Sequence, residues 1–264
     1  MFPYIHLPEL KPLGLPIHWF GILVAFAVGL GIWLARKRAP AHGIDDRRLD
    51  SLINWMLASG FILSHVLDTI FYHPEELTTR PWSLLFIWEG LSSFGGFIGA
   101  FVGILLWKKF RGKGESLIPY ADLILSVFPI SWIFGRMGCA VVHDHKGRLA
   151  DAPSIFTVTF PGAPPAGGPH YDLGLLEMFY AIFISLVVMS LWRKPRPLGT
   201  YIGVTCALYA PVRFGLDFLR LEEGPTGDPR YLMLTPGQWG SVALFVFGVI
   251  VLTRALTRRP SSPS

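Results

Sequence analysis

The chain is short of charge and nearly devoid of cysteine. Asp, Glu, Lys and Arg make up 16% of 264 residues, against about 25% in ordinary soluble domains. With 52% hydrophobic and 14% aromatic residues and a mean hydropathy of +0.46, that deficit excludes a typical soluble fold. Only two cysteines occur, Cys139 and Cys206, in separate apolar runs. They give neither a disulfide framework nor a zinc spacing, which leaves packing as their expected role. No cleavable leader is expected, because Pro3, Glu9 and Pro12 precede the first apolar run.

What charge there is falls in clusters. Arg36, Lys37, Arg38, Arg47 and Arg48 form one, and Lys108, Lys109, Arg111 and Lys113 a second. Arg193, Lys194 and Arg196 form a third, then Arg254, Arg258 and Arg259 a fourth. A net charge of +5 distributed in this way argues against a nucleic-acid partner. It marks alternate ends of membrane spans, with anionic membrane lipids as further contacts. The spacing predicts an all-α polytopic integral membrane protein, one domain over 1–264, with about seven transmembrane helices. They are expected over 18–36, 52–72, 83–107, 118–142, 173–192, 198–218 and 237–256. The third is interrupted at Ser92–Gly96 and so is broken or re-entrant. The positive-inside rule puts the N-terminus outside (periplasmic) and the C-terminus in the cytoplasm.

A second, smaller set of cations then stands out. Arg136 lies near the outer end of the fourth span, and Arg213 and Arg220 at the outer end of the sixth, with Arg230 beyond. A guanidinium at membrane depth costs about 2.5–3.5 kcal/mol and is a functional-site candidate by default. A phosphate held bidentately is its natural partner. The competing reading pairs Arg213 or Arg220 with Asp217, four and three residues away on one helix face. His65 and Asp68 share a face of the second span, so the carboxylate can orient the ring as a general base. Glu89 precedes the break in the third span. His143 and His145 are expected on one side of an extended segment, where a metal site with His170 is a weaker alternative to no metal at all. The stretch of about 143–172 is expected on the periplasmic side as a lid or docking arm. Phe156–Phe160 within it alternates like a strand.

Several motifs, in order, carry a resemblance. They are Pro16-Ile17-His18-Trp19-Phe20-Gly21, Trp88-Glu89-Gly90-Leu91-Ser92 with Gly95-Gly96, and Gly135-Arg136-Met137-Gly138 with Gly147. His170 with Glu177, Arg193–Gly199, Arg213-Phe214 with Asp217–Arg220, and Pro236-Gly237-Gln238 follow. Over nearly its whole length the chain resembles the bacterial prolipoprotein diacylglyceryl transferases. The resemblance implies transfer of a diacylglyceryl group from phosphatidylglycerol to the lipobox cysteine thiol of prolipoproteins, in the inner membrane and without a cofactor. It implies that Arg136 binds the phospholipid head group and that Arg213 is a second essential arginine. Asp144 and Asp217 stand where the family has Glu. Gly95, Gly96, Arg220 and His143 complete the expected substrate-binding set. The chain departs from the family at Phe20, Phe94 and Cys139, where polar groups are usual. That leaves His65 with Asp68, or His143, to supply the base. It also leaves open a catalytically silent lipid-binding relative or a phospholipid transporter, although no internal symmetry supports transport.

Reporter fusions placed after Arg38 and after Arg259 should both read cytoplasmic. A periplasmic signal at either point would invert the side on which the arginines lie.

Overall fold

A bilayer offers backbone groups no partner but one another, so apolar runs of this length become helices. The structure, a computed structural model, describes residues 1–5, 7–8, 18–86, 90–162, 164, 166–220 and 231–257. Glu9, Pro12, Pro16, Ile17, Trp88, Glu89, Arg230, Arg258 and Arg259 lie outside the described residues. The helices are α1 (Trp19–Arg38), α2 (Asp46–Tyr72), α3 (Pro74–Thr79), α4 (Ser93–Phe110), α5 (Ile118–Val142), α6 (Leu173–Leu191), α7 (Thr200–Leu216) and α8 (Pro236–Thr257). Among the described residues six of them, all but α3 and α4, are long and apolar enough to cross a membrane. The chain is thus an all-α polytopic membrane protein. The long third span expected over 83–107 is not continuous. A 3₁₀ turn at Pro81–Leu85 and an 18-residue α4 take its place. Gly90, at φ 78°, turns the chain, and Ser92 Oγ then caps α4 by accepting from Gly95 N at 2.9 Å.

The chain divides into two units, one of residues 38–120 and one of 1–37 with 121–264. In the first, Asp45 starts α2 by accepting from Arg47 N and Arg48 N at 3.0 and 3.3 Å. α2 and α4 then pack along a stripe of small residues. A Cβ on Gly95, Gly99 or Gly103 would lie 2.6, 2.4 or 2.2 Å from Leu63 O, Ser59 O or Ser59 Oγ. Only glycine admits so close an approach, the usual device where lipid supplies no hydrophobic drive between helices. Gly95, expected to bind substrate, is therefore filled on its side-chain face by the α2 backbone. Gly96 stands beside it, where a Cβ would lie 3.9 Å from Ser64 Oγ. Trp107, fully buried, donates from Nε1 to Ser51 Oγ at 3.1 Å.

In the second unit a small antiparallel sheet follows α5. Its strands are β1 (Lys146–Leu149), β2 (Thr157–Phe160) and β3 (Gly168–Asp172), in the order β1-β3-β2. β2 is the strand whose alternation is visible in the sequence. β3 runs straight into α6, whose first turn is capped by Asp172 accepting from Leu175 N at 3.0 Å. The sheet therefore returns the chain from the end of α5 to the start of α6. α7 and α8 meet where Cβ atoms on Gly203 or Gly248 would lie 2.5 Å from Leu252 Cβ or 2.8 Å from Ala207 N. Asp122 of α5 accepts from Ile202 N of α7 at 2.9 Å, and Tyr180 of α6 donates to Leu208 O at 2.7 Å. Both cysteines are buried and free, as packing residues should be.

Gly99→Leu should lower the melting temperature of the detergent-solubilised protein, since overpacking costs about 1–3 kcal/mol. Gly21→Leu, at a site with nothing within 4 Å of the new Cβ, should leave it unchanged. Equal melting temperatures for the two variants would contradict the close α2–α4 packing.

Candidate active site

Arg136 sits on the last turns of α5, and its acid is not the nearby Asp144. Nη2 lies 3.0 Å from Glu177 Oε2 on α6, with side chains only 12% and 6% exposed. Glu177 also accepts from the Tyr209 hydroxyl of α7. The pair thus joins three helices. Glu177 is far along the chain from Arg136, so sequence reasoning noted it without its role. On the other edge of the guanidinium, Nη1 lies 3.7 Å from Cys139 Sγ and 3.5 Å from His145 Nε2. The guanidinium carbon lies 4.6 Å from the Trp132 ring centroid. Arg136 Nε is buried and has no hydrogen-bond partner among the described residues. A buried donor left in this way costs about 1–3 kcal/mol or more. It calls for an acceptor that arrives from outside.

Arg213 and Arg220 both turn to Asp217, which combines the two readings open in the sequence. Arg213 Nη1 lies 2.8 Å from Asp217 Oδ1, and Arg220 Nε lies 3.8 Å from the same oxygen. The Thr235 hydroxyl donates to the other carboxylate oxygen. Thr235 is held in turn by Gln238, whose Oε1 accepts from Thr235 N at 3.0 Å. Arg136, Glu177, Arg213, Arg220 and His145 line one small cavity with Leu173 and Leu216. Its free volume is about 30 Å³, room for a water or two but not for a phosphate. An anion can enter only as side chains swing aside.

The histidines fall differently from expectation. His65, 1% exposed, is not paired with Asp68. Its Nδ1 lies 3.1 Å from Gly90 O and its Nε2 3.0 Å from Ser83 O, so the ring ties the 83–90 connection to α2. Asp68 instead lies 3.9 Å from His73. Both nitrogens of His65 are committed to carbonyls, which removes the geometric ground for a base there. His143 and His145 are in a turn, not an extended segment, because His143 adopts φ 53°. They face apart. His143 Nδ1 lies 2.7 Å from Asp172 Oδ2 and Nε2 lies 3.2 Å from Ile5 O, with the ring stacked on Tyr4. Burial raises the pKa of the Asp172 carboxyl, opposed by its bond to His143. His170 is tied to Gly147 O and Gly167 O at 2.9 and 3.3 Å, which rules out the three-histidine metal set. His145 Nδ1 lies 2.5 Å from Asp144 Oδ1. That bond first, and Cys139 second, raise its pKa to about 9. Cys139, Asp144 and His145 place donor atoms within 4.8 Å of one another, close enough for a metal ion. The guanidinium 3.7 Å from Cys139 Sγ already supplies positive charge there.

Fold and site together define a polytopic α-helical membrane protein with three arginines around one small cavity. The family model of prolipoprotein diacylglyceryl transferases matches residues 8–254, and the chain belongs to that family. The chain is 28% identical to the phosphatidylglycerol–prolipoprotein diacylglyceryl transferase of Actinobacillus pleuropneumoniae serotype 3 (strain JL03), over 97% of this chain and 98% of that one. It is 29% identical to the enzyme of the same name from Ectopseudomonas mendocina (strain ymp), over 98% of each. For that from Janthinobacterium sp. (strain Marseille) the figures are 26% and 94% of each.

Glu177→Gln leaves a buried guanidinium without its counter-charge, a loss of about 3–5 kcal/mol. The variant should melt at a distinctly lower temperature in detergent. An unchanged midpoint would show that the Arg136–Glu177 pair does not hold α5 to α6.

Proposed function

We propose that this protein transfers the diacylglyceryl group of phosphatidylglycerol to the lipobox cysteine thiol of prolipoproteins, in the bacterial inner membrane. The observation that carries the reading is Arg136 Nε, a buried donor with no partner among the described residues, at a cavity shared with Arg213 and Arg220. Family membership supplies the reaction class.

In this reading the lipid phosphate accepts from Arg136 and Arg213. Glu177 holds Arg136 through Nη2, which leaves Nε as the donor for the phosphate. In this reading both arginines bear on the leaving phosphate oxygen as charge collects there, and donors of this kind are usually the largest catalytic contribution. Two guanidinium groups against a phosphodiester that becomes a dianion favour the product side of the transfer more than the ground state, as catalysis requires. The N-terminus is periplasmic in this scheme, which puts the cavity on the side where secreted prolipoproteins emerge. Neither a metal nor an organic cofactor is needed.

The test uses purified protein in phosphatidylglycerol vesicles with a lipobox peptide, following glycerol phosphate release and the mass gain of the peptide. Both should appear with the natural chain. Arg136→Ala should abolish them in protein that remains folded. Arg136→Lys should recover little, because an ammonium lacks the planar fork. Full transfer by Arg136→Ala would overturn the site. Lipid binding without either product would identify a silent relative.

A further inference from the structure

The Arg47 end of α2 carries a second cluster of guanidinium groups, wholly within the unit of residues 38–120 and sharing no residue with the site above. Arg47, Arg48, Ser51, Asn54, Trp55 and Arg111 line a cavity of about 340 Å³. Ligand pockets usually have about 300–1,000 Å³, whereas the cavity at Arg136 has only about 30 Å³. Arg47, Ser51 and Asn54 follow one another at helical spacing, as do Arg48, Ser51 and Trp55, so the lining runs up one face of α2. Arg111 closes it from the turn after α4.

The turn that carries Arg111 is fixed. Arg111 N and Gly112 N both donate to Trp107 O at 2.8 Å, and a Cβ on Gly112 would lie 2.5 Å from the Trp107 ring. Arg48 Nη1 donates to Arg111 O at 3.0 Å and lies 3.3 Å from Glu115 Oε1. The Tyr120 hydroxyl holds the same carboxyl group. Glu115 is therefore engaged behind Arg48, and among the described residues no acid lines the cavity. The side chains of Arg47 and Arg111 have no partner among the described residues. Ser51 Oγ accepts from Trp107 Nε1 at 3.1 Å, which leaves its own hydrogen for another acceptor. Asn54 adds an amide. Asp45 already takes Arg47 N and Arg48 N, so side chains, not the helix terminus, make the site. A set of forked donors without an acid suits an oxyanion that accepts several hydrogen bonds at once, as a phosphate does. Beside the cations the wall is aromatic. The Trp55 ring stacks on Phe110 with centroids 5.9 Å apart, and Phe110 is 54% exposed. Aromatic rings of this kind mark the membrane–water interface.

We infer that this cavity binds the head-group phosphate of an anionic glycerophospholipid, as a site of binding and not of reaction. The phosphate oxygens accept from Arg47 and Arg111, with Ser51 and Asn54 as further donors, and the acyl chains leave past Trp55 and Phe110. A lipid is favoured over a soluble phosphate because the same cavity offers both cations and exposed aromatic surface. The bound lipid bridges the first turns of α2 to the turn after α4. The positive-inside orientation puts it in the cytoplasmic leaflet. The inference does not depend on the transferase reading.

The test uses the full chain in phosphatidylcholine vesicles with a small share of phosphatidic acid that carries a photoreactive group close to its glycerol. Phosphatidic acid has no glycerol head group to release, so the label reports binding alone. After illumination, mass spectrometry should find the label on peptides containing Arg47–Trp55 or Phe110–Arg111. Arg47→Ala combined with Arg111→Ala should cut labelling of these peptides about tenfold or more, since each basic residue near a membrane surface contributes substantially to anionic-lipid binding. Arg47→Gln with Arg111→Gln keeps more of the side-chain bulk and should show the same loss, so a folding defect in one pair does not decide the matter. Arg193→Ala with Arg196→Ala removes the same charge from another cluster and should leave the labelling unchanged. Photoreactive phosphatidylcholine should label the peptides weakly. Labelling that survives in both Arg47 and Arg111 pairs overturns the proposal. An equal loss in the Arg193 and Arg196 pair overturns it too, by showing that surface charge alone attracts the lipid. Equal labelling by phosphatidylcholine does the same. Displacement of the probe by inorganic phosphate but not by unlabelled phosphatidylglycerol would assign the cavity to a soluble phosphate and reject the lipid.

Discussion

The ion pair between Arg136 and Glu177 is the constraint on which the site depends. A guanidinium on a membrane helix is costly, and a buried pair holds only when its other hydrogen-bonding groups are satisfied. Here Glu177 takes Arg136 Nη2 and the Tyr209 hydroxyl, Nη1 lies against Cys139 and His145, and Nε is left without a partner among the described residues. The pair joins α5, α6 and α7 at the wall of the small cavity, and its unfilled donor is the place for an incoming acceptor. Arg213, with Asp217 shared between it and Arg220, repeats the arrangement on the opposite wall. Arg136, Arg213 and Arg220 thus bring three guanidinium groups to the lining of one small cavity.

The small sheet has a positional role in the same scheme. Its strands bring the chain from the end of α5 back to the capped start of α6. That path puts His145 at the mouth of the cavity and fixes its carbonyl to Leu173 N. The left-handed turn at His143 sends that ring away, onto Tyr4 and Asp172. Neighbouring histidines thus differ: His143 anchors the first residues of the chain, and His145 lines the arginine cavity.

Most helix positions were legible because lipid makes one demand on every span, and apolar length answers it. The break in the third span was also legible from Ser92–Gly96, although it falls at Gly90 and Ser92 and α4 runs on through Gly95 and Gly96. Arg136, Arg213 and Asp217 stood out because charge near a span is conspicuous, whereas Asp144 entered only through the family resemblance. Glu177 was noted beside His170 but not as the partner of Arg136, because that contact depends on how α5 and α6 pack. His65 and Asp68 illustrate a different limit. Helical spacing put them on one face, but nearby backbone carbonyls captured both ring nitrogens. His145 was passed over because an extended segment was assumed where the chain turns.

The most direct measurement of the account is a nitrogen-to-phosphorus distance by solid-state NMR, with arginine labelled in the guanidinium and the protein in phosphatidylglycerol bilayers. The account predicts a contact of about 4 Å, the separation expected across an N–H···O–P hydrogen bond of about 2.8 Å. Its intensity should fall in Arg136→Ala and stay the same in Arg196→Ala, where Arg136 is intact. An intensity that Arg136→Ala leaves unchanged, or no contact at that distance in the natural chain, would contradict the claim that Arg136 holds the lipid phosphate.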